Sequence, residues 1–169
     1  MDFIVPLTGM RTRVKICGIT RPEDGRAAAQ AGADAIGLVF YANSPRYVAL
    51  QQAQAICRAL PPFVSVVALF VNARREQVAE VLNAIPVDLL QFHGNEQAEQ
   101  CVSFGRPYIK AIGMREGTDP LSTMEVHPEA CGFLLDAWQP ELYGGGGVVF
   151  DWAQIPARSD KPMILAGGL

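Results

Sequence analysis

Seven apolar runs of strand length, at 13–18, 35–40, 64–71, 88–92, 108–113, 131–136 and 162–166, alternate with segments of helical period. No other feature restricts the chain as much. The helical segments fall at 22–31, which opens on Pro22, and at 50–60, 74–85 and 96–104, with a less regular one at 116–128. Two of them end in the same kind of phrase, Ala31-Gly32-Ala33-Asp34 and Ile85-Pro86-Val87-Asp88, where a helix stop precedes aspartate and a new strand. Strands joined through helices run parallel, so the pattern is a βα repeat of roughly 20–30 residues. The first strand is not followed by Gly-x-Gly-x-x-Gly, which argues against a dinucleotide-binding sheet. The expected fold is therefore an α/β barrel of the TIM (β/α)8 type. Such barrels usually take about 200 residues or more, and the 169 residues here reach only the seventh strand. The expectation is a barrel truncated after about that point, with residues 1–12 as an N-terminal extension and 13–169 as one incomplete barrel domain. Strands one and seven would then carry open edges that invite self-association, whereas a complete barrel would suffice as a monomer.

Half of the residues are hydrophobic and 18% are charged, enough for one substantial core. A net charge of −3 without a Lys/Arg cluster excludes an electrostatic footprint for nucleic acid and does not favour a membrane surface. Residues 3–7 are too short an apolar run for a signal peptide or a membrane span. Cys17, Cys57, Cys101 and Cys131 are widely spaced, with only His93 and His127 to join them. Neither zinc nor a disulfide framework follows, and reduced thiols in the cytoplasm fit best.

The first strand stops on Cys17 and Gly18, which puts a thiol at the strand end where parallel α/β proteins place chemistry. Lys15 and Cys17 share one strand face, predicted to be the interior, while Val14 and Ile16 share the face predicted to meet the helices. A neighbouring ammonium favours the thiolate, which makes Cys17 a candidate proton-transfer residue; a small buried hydrophobe is the other reading. Asp136 ends the sixth strand after Phe133-Leu134-Leu135, and burial there would raise its carboxyl group and let it hold a proton. Capping of the following backbone, or pairing with a cation, is its alternative role. Arg46 follows the second strand in a proline-restricted loop, where a solvated arginine is the plain reading. His93, beside Gly94, lines the pocket or makes a structural hydrogen bond. The run Gly144 to Gly147 is either a plain linker or a loop wrapping a ligand, in which backbone can approach closely.

In order and spacing, Lys15-Ile16-Cys17-Gly18-Ile19-Thr20, Gly37-Leu38-Val39-Phe40, Ser44-Pro45-Arg46-Tyr47-Val48 and Gln91-Phe92-His93-Gly94 resemble the phosphoribosylanthranilate isomerases. Leu134-Leu135-Asp136, Phe150-Asp151-Trp152 and Ile164-Leu165-Ala166-Gly167-Gly168 extend the resemblance from residue 13 to the end. The resemblance implies an Amadori rearrangement in tryptophan biosynthesis, with a small phosphosugar substrate and neither metal nor organic cofactor. It implies Cys17 as general base, Asp136 as general acid and Arg46 on the anthranilate carboxylate, with Gly167 and Gly168 in the phosphate loop after strand seven. The chain departs from the family pattern at Gly146 and Val148, where a hydroxyl and a polar residue are common. Another phosphosugar barrel, such as an epimerase, would be expected to display metal ligands or paired acids that are not evident here. The alternative of a different class is a truncated, non-catalytic paralogue that binds a phosphorylated ligand or a partner.

Overall fold

The computed structural model describes residues 11–137 and 150–167. Seven strands run in parallel and each pairs with its sequence neighbour, giving a sheet ordered β1-β2-β3-β4-β5-β6-β7 that curls into a half-barrel. The strands are β1 (Lys15–Cys17), β2 (Ala35–Val39), β3 (Ser65–Phe70), β4 (Leu89–Phe92), β5 (Tyr108–Met114), β6 (Gly132–Ala137) and β7 (Met163–Leu165). Helices α1 (Pro22–Gln30), α2 (Leu50–Ala59), α3 (Arg75–Ala84), α4 (Ala98–Val102) and α5 (Pro120–Val126) follow the first five strands, and a 3-10 turn at Trp152–Gln154 precedes β7. Among the described residues, no helix is long and apolar enough to cross a membrane.

Local chemistry sets these boundaries. Pro22 opens α1 with Glu23 and Asp24 in the first turn, where acidic groups complement the helix dipole. Gly32, at φ +92°, closes it: Gly32 N–H donates to Ala29 O at 3.0 Å and Ala33 N–H to Ala28 O at 3.0 Å, a Schellman ending. The aspartates that follow have a common task. Asp34 Oδ2 accepts from Val14 N–H at 2.9 Å, and Asp88 Oδ2 accepts from Val66 N–H at 2.7 Å, so each fastens its strand to the one before. Helix α4 is shorter than the predicted 96–104, because the Glu96 side chain turns inward instead of starting a helix. The irregular 116–128 segment condenses into α5, with the Asp119 side chain capping Leu121 N–H at 3.0 Å.

Both faces of the sheet are apolar, which is why the strands read as nearly continuous hydrophobic runs. On the outer face Ile36, Leu38, Ala68, Phe70, Leu90, Phe92, Phe133 and Leu135 pack against helix residues such as Ala53, Ile56, Val78 and Cys101. Four aromatic rings follow one another across that face, Phe40–Phe70 at 5.6 Å, Phe70–Phe92 at 6.3 Å and Phe92–Tyr108 at 5.8 Å between centroids. On the inner face Val39, Leu69 and Val71 pack with Cys17 and Tyr41, and Ile109, Ala111 and Leu134 with Leu89, Ile164 and Ala166. One expectation fails on the outer face. Val14 and Ile16, predicted to meet helices, are 43% and 41% exposed, because α1 packs on β2 and α2 and no described helix covers β1.

Candidate active site

Cys17 ends β1 on the inner face, as the alternation predicted. Its register partner on β2 is Gly37, where a Cβ would stand 2.8 Å from the Cys17 sulfur, 3.1 Å from its Cα and 3.2 Å from Lys15 Nζ. The thiol and the ammonium therefore share space that only a glycine leaves open. Asp136, near the end of β6, is buried and also has a glycine, Gly113 of β5, as register partner. Both candidate proton-transfer groups thus sit beside a neighbour without a side chain.

Among the described residues no backbone N–H donates to the Asp136 carboxyl group; its Oδ2 lies 3.3 Å from His93 Nε2, with both side chains at or below 10% exposure. His93 follows β4 and is held there by its N–H on Phe70 O at 2.9 Å. Its other ring nitrogen, Nδ1, is 3.0 Å from Gln91 Nε2. Gly167, after β7, has φ +80°, and a Cβ there would come within 2.8 Å of Asp136 Oδ1 and 2.6 Å of Ala137 N. This glycine is needed both for its backbone angle and for its approach to the carboxyl group.

Arg46 reaches from the loop after β2 back over the end of β1. Its Nη1 donates to Cys17 O at 3.0 Å, and a Cβ at Gly18, itself at φ +84°, would lie 2.4 Å from Arg46 Cδ. The loop is shaped by Ser44, whose Oγ accepts from Arg46 N–H at 3.2 Å. Among the described residues the remaining guanidinium N–H groups have no partner, which leaves a donor fork at the rim near Cys17. Gly168 and the run Gly144 to Gly147 lie outside the described residues.

A second polar cluster, which the sequence patterns did not point to, fixes the rim from the helix side. Lys110 of β5 is buried and pairs with buried Glu96 at 3.3 Å, while also donating to Gly94 O at 2.6 Å. Glu96 Oε1 accepts from Asn72 N–H at 2.7 Å and its Oε2 from Gly94 N–H at 2.9 Å. Asn72, at φ +49°, accepts from Asn95 N–H through Oδ1 at 2.7 Å. The loops after β3 and β4, which flank His93, are thereby tied into one unit. The only signal in sequence was a lysine inside an otherwise apolar strand, a position where charge is tolerated only when paired.

Burial pushes Cys57 up to about 11, with Asp88 adding to it, and Cys101 up to about 12; Cys131 is also raised by burial. Burial likewise lowers His127, whose Nδ1 lies 3.3 Å from the Tyr108 hydroxyl. Among the described residues, no three of His, Cys, Asp and Glu come together to hold a metal ion.

Comparison with known proteins places this geometry in context. Residues 14–169 match the family model described as N-(5'phosphoribosyl)anthranilate (PRA) isomerase. The N-(5'-phosphoribosyl)anthranilate isomerase of Pseudomonas paraeruginosa is 57% identical over 157 residues, covering 93% of this chain and 74% of that protein. The phosphoribosyl anthranilate isomerase crystal structure from Thermotoga maritima superposes with a TM-score of 0.83 at 38% identity, covering 94% of this chain and 78% of that one. A phosphoribosyl anthranilate isomerase in complex with reduced 1-(o-carboxyphenylamino)-1-deoxyribulose 5-phosphate superposes with a TM-score of 0.79 at 36% identity, covering 94% and 77%.

Proposed function

Since the chain belongs to the N-(5'-phosphoribosyl)anthranilate isomerase family, we propose that Cys17 and Asp136 are the base and acid of its Amadori rearrangement. The enzyme is an aldose-ketose isomerase that converts N-(5-phosphoribosyl)anthranilate into 1-(2-carboxyphenylamino)-1-deoxyribulose 5-phosphate. Asp136, as carboxylic acid, gives its proton to the ribose ring oxygen while the nitrogen lone pair forms the C1–N iminium and the C1–O bond breaks. Cys17, as thiolate, then takes the C2 proton, and the electrons of that bond form the enol-amine. Protonation at C1 and loss of the enol proton complete the ketone. Two separately placed proton-transfer groups meet this demand. The observation that carries the assignment is the placement of both side chains on the inner face at their strand ends, each beside a glycine in register.

Arg46 takes the anthranilate carboxylate through the guanidinium N–H groups that have no partner among the described residues, His93 lines the pocket from β4, and Gly167 with Gly168 presents backbone to the phosphate. Residues 1–12 are an N-terminal extension to one incomplete barrel domain at 13–169, a division supported by the start of the family match at residue 14. A cytoplasmic setting is supported by four free cysteines.

Steady-state turnover and inhibitor affinity of three variants test the roles. Cys17→Ser is expected to lower kcat by more than about a hundredfold with little change in volume, because a hydroxyl is a much poorer proton acceptor. Asp136→Asn is expected to lower kcat with affinity for the reduced product analogue retained, and Arg46→Ala to weaken that affinity by about tenfold or more. A serine variant turning over at the normal rate, or exchanged effects of Asp136→Asn and Arg46→Ala, would refute the assignment.

A further inference from the structure

Gln91 is 1% exposed, points inward from β4, and has no part in the chemistry just described. Its amide Nε2 lies 3.0 Å from His93 Nδ1, and His93 Nε2 lies 3.3 Å from Asp136 Oδ2, so the three side chains form a chain ending at the acid. Gln91 Oε1 is buried without a hydrogen-bond partner among the described residues. An amide turned the other way would leave its NH2 group orphaned instead, and buried unpaired N–H groups are rarer than under-satisfied carbonyls. The amide therefore donates to Nδ1. An imidazole that accepts at Nδ1 carries its proton on Nε2 and presents a donor to Asp136.

We propose that Gln91 is a positioning residue that fixes His93 in its Nε2–H form, so that His93 donates to Asp136 Oδ2 as that carboxyl group gives up its proton. The proposal rests on the reading of Asp136 as the acid. As the proton leaves toward the substrate, Asp136 becomes a carboxylate, and an Nε2–H of His93, 3.3 Å away, can then donate to it in a charge-assisted hydrogen bond, stronger than a neutral one. A bond that strengthens during the step lowers its barrier without tightening substrate binding. With the proton on Nδ1 instead, a nitrogen lone pair would face the developing negative charge. Other titratable groups on the inner face are Lys15 and Cys17 of β1 and Tyr41 after β2, whereas Lys110 of β5 faces the helix side and pairs with Glu96.

Gln91→Leu removes the donor at similar volume, and Gln91→Glu replaces it with an acceptor that demands Nδ1–H. Each is expected to lower kcat by about 10- to 100-fold, the size of one hydrogen bond to a charged group, with KM changed by less than about threefold. The acid limb of the kcat–pH profile should shift in the glutamate variant. Tautomer-resolved NMR of the isotope-labelled histidines in the full chain, assigned with His127→Gln, supplies a readout independent of turnover. The expected result is Nε2–H at His93 in the unsubstituted chain and Nδ1–H or imidazolium in Gln91→Glu. An Nδ1–H form in the unsubstituted chain overturns the proposal. So does a Gln91→Leu enzyme with unchanged kcat and pH profile where Asp136→Asn abolishes turnover. Full turnover in Asp136→Asn would remove the acid reading itself, and this proposal with it.

Discussion

A methyl group added at residue 37 would stand 2.8 Å from the Cys17 sulfur and 3.1 Å from its Cα. The side chain could rotate away, but the backbone of β1 could not without disturbing its ladder with β2. Gly37→Ala is therefore expected to cost about 1–3 kcal/mol of stability, as overpacking does, and to lower turnover by displacing the thiol. Urea denaturation and steady-state kinetics check the two effects. The contrast is Gly32, where a Cβ meets nothing within 4 Å and only the positive φ is strained. At this scale the sequence revealed groups whose chemistry is unusual for their position: a thiol and a carboxylate at strand ends, an arginine after a proline, a histidine beside glycine. It did not reveal Gln91 or Glu96, because each looks like an ordinary polar residue until its partner is known. Those partners, His93 and Lys110, are set by the strand faces and by packing between strands.

Between elements, the Lys110–Glu96 pair is buried beneath the loops after β3 and β4. Removing one partner leaves a buried charge uncompensated, so Lys110→Met is expected to destabilise the protein by about 3–5 kcal/mol. Its chemical denaturation midpoint measures this, and the larger loss should appear as earlier hydrogen exchange at Asn72, Gly94 and Asn95. His127, at the end of α5, supplies a pH dependence. Burial lowers its pKa in the fold, with Lys110 contributing, so the unfolded chain takes up a proton first, near the ordinary imidazole value of about 6.5. Its contribution is fully present above that pH and is lost as the pH falls through and below it. Thermal melts across this window should show the decline, and His127→Gln should flatten it. Element order and strand positions were legible because two-sided burial makes each strand an apolar block. The ends were less so: α4 loses its first residues to the demands of a charge pair that no local pattern displays.

For the molecule as a whole, the described sheet has two edges, since β1 pairs only with β2 and β7 only with β6 among the described residues. Val14 and Ile16 add apolar surface at one of them. The 169-residue chain is expected to associate with rising concentration in sedimentation velocity. Replacing Val14 and Ile16 together with lysine should suppress this; an unchanged monomeric profile in the original chain would refute it. The barrel class was readable from repetition alone, whereas the exposure of β1 depends on which faces the helices reach, a three-dimensional matter. The aspartate clamps carry a consequence for how the sheet is made. Asp34 reaches back to the entry of β1 and Asp88 to the second residue of β3, each binding a strand synthesised earlier. A chain leaving the ribosome N-terminus first therefore meets each fastening only after its target has emerged. The sheet can grow in the order of translation, every new strand being registered against the one already in place.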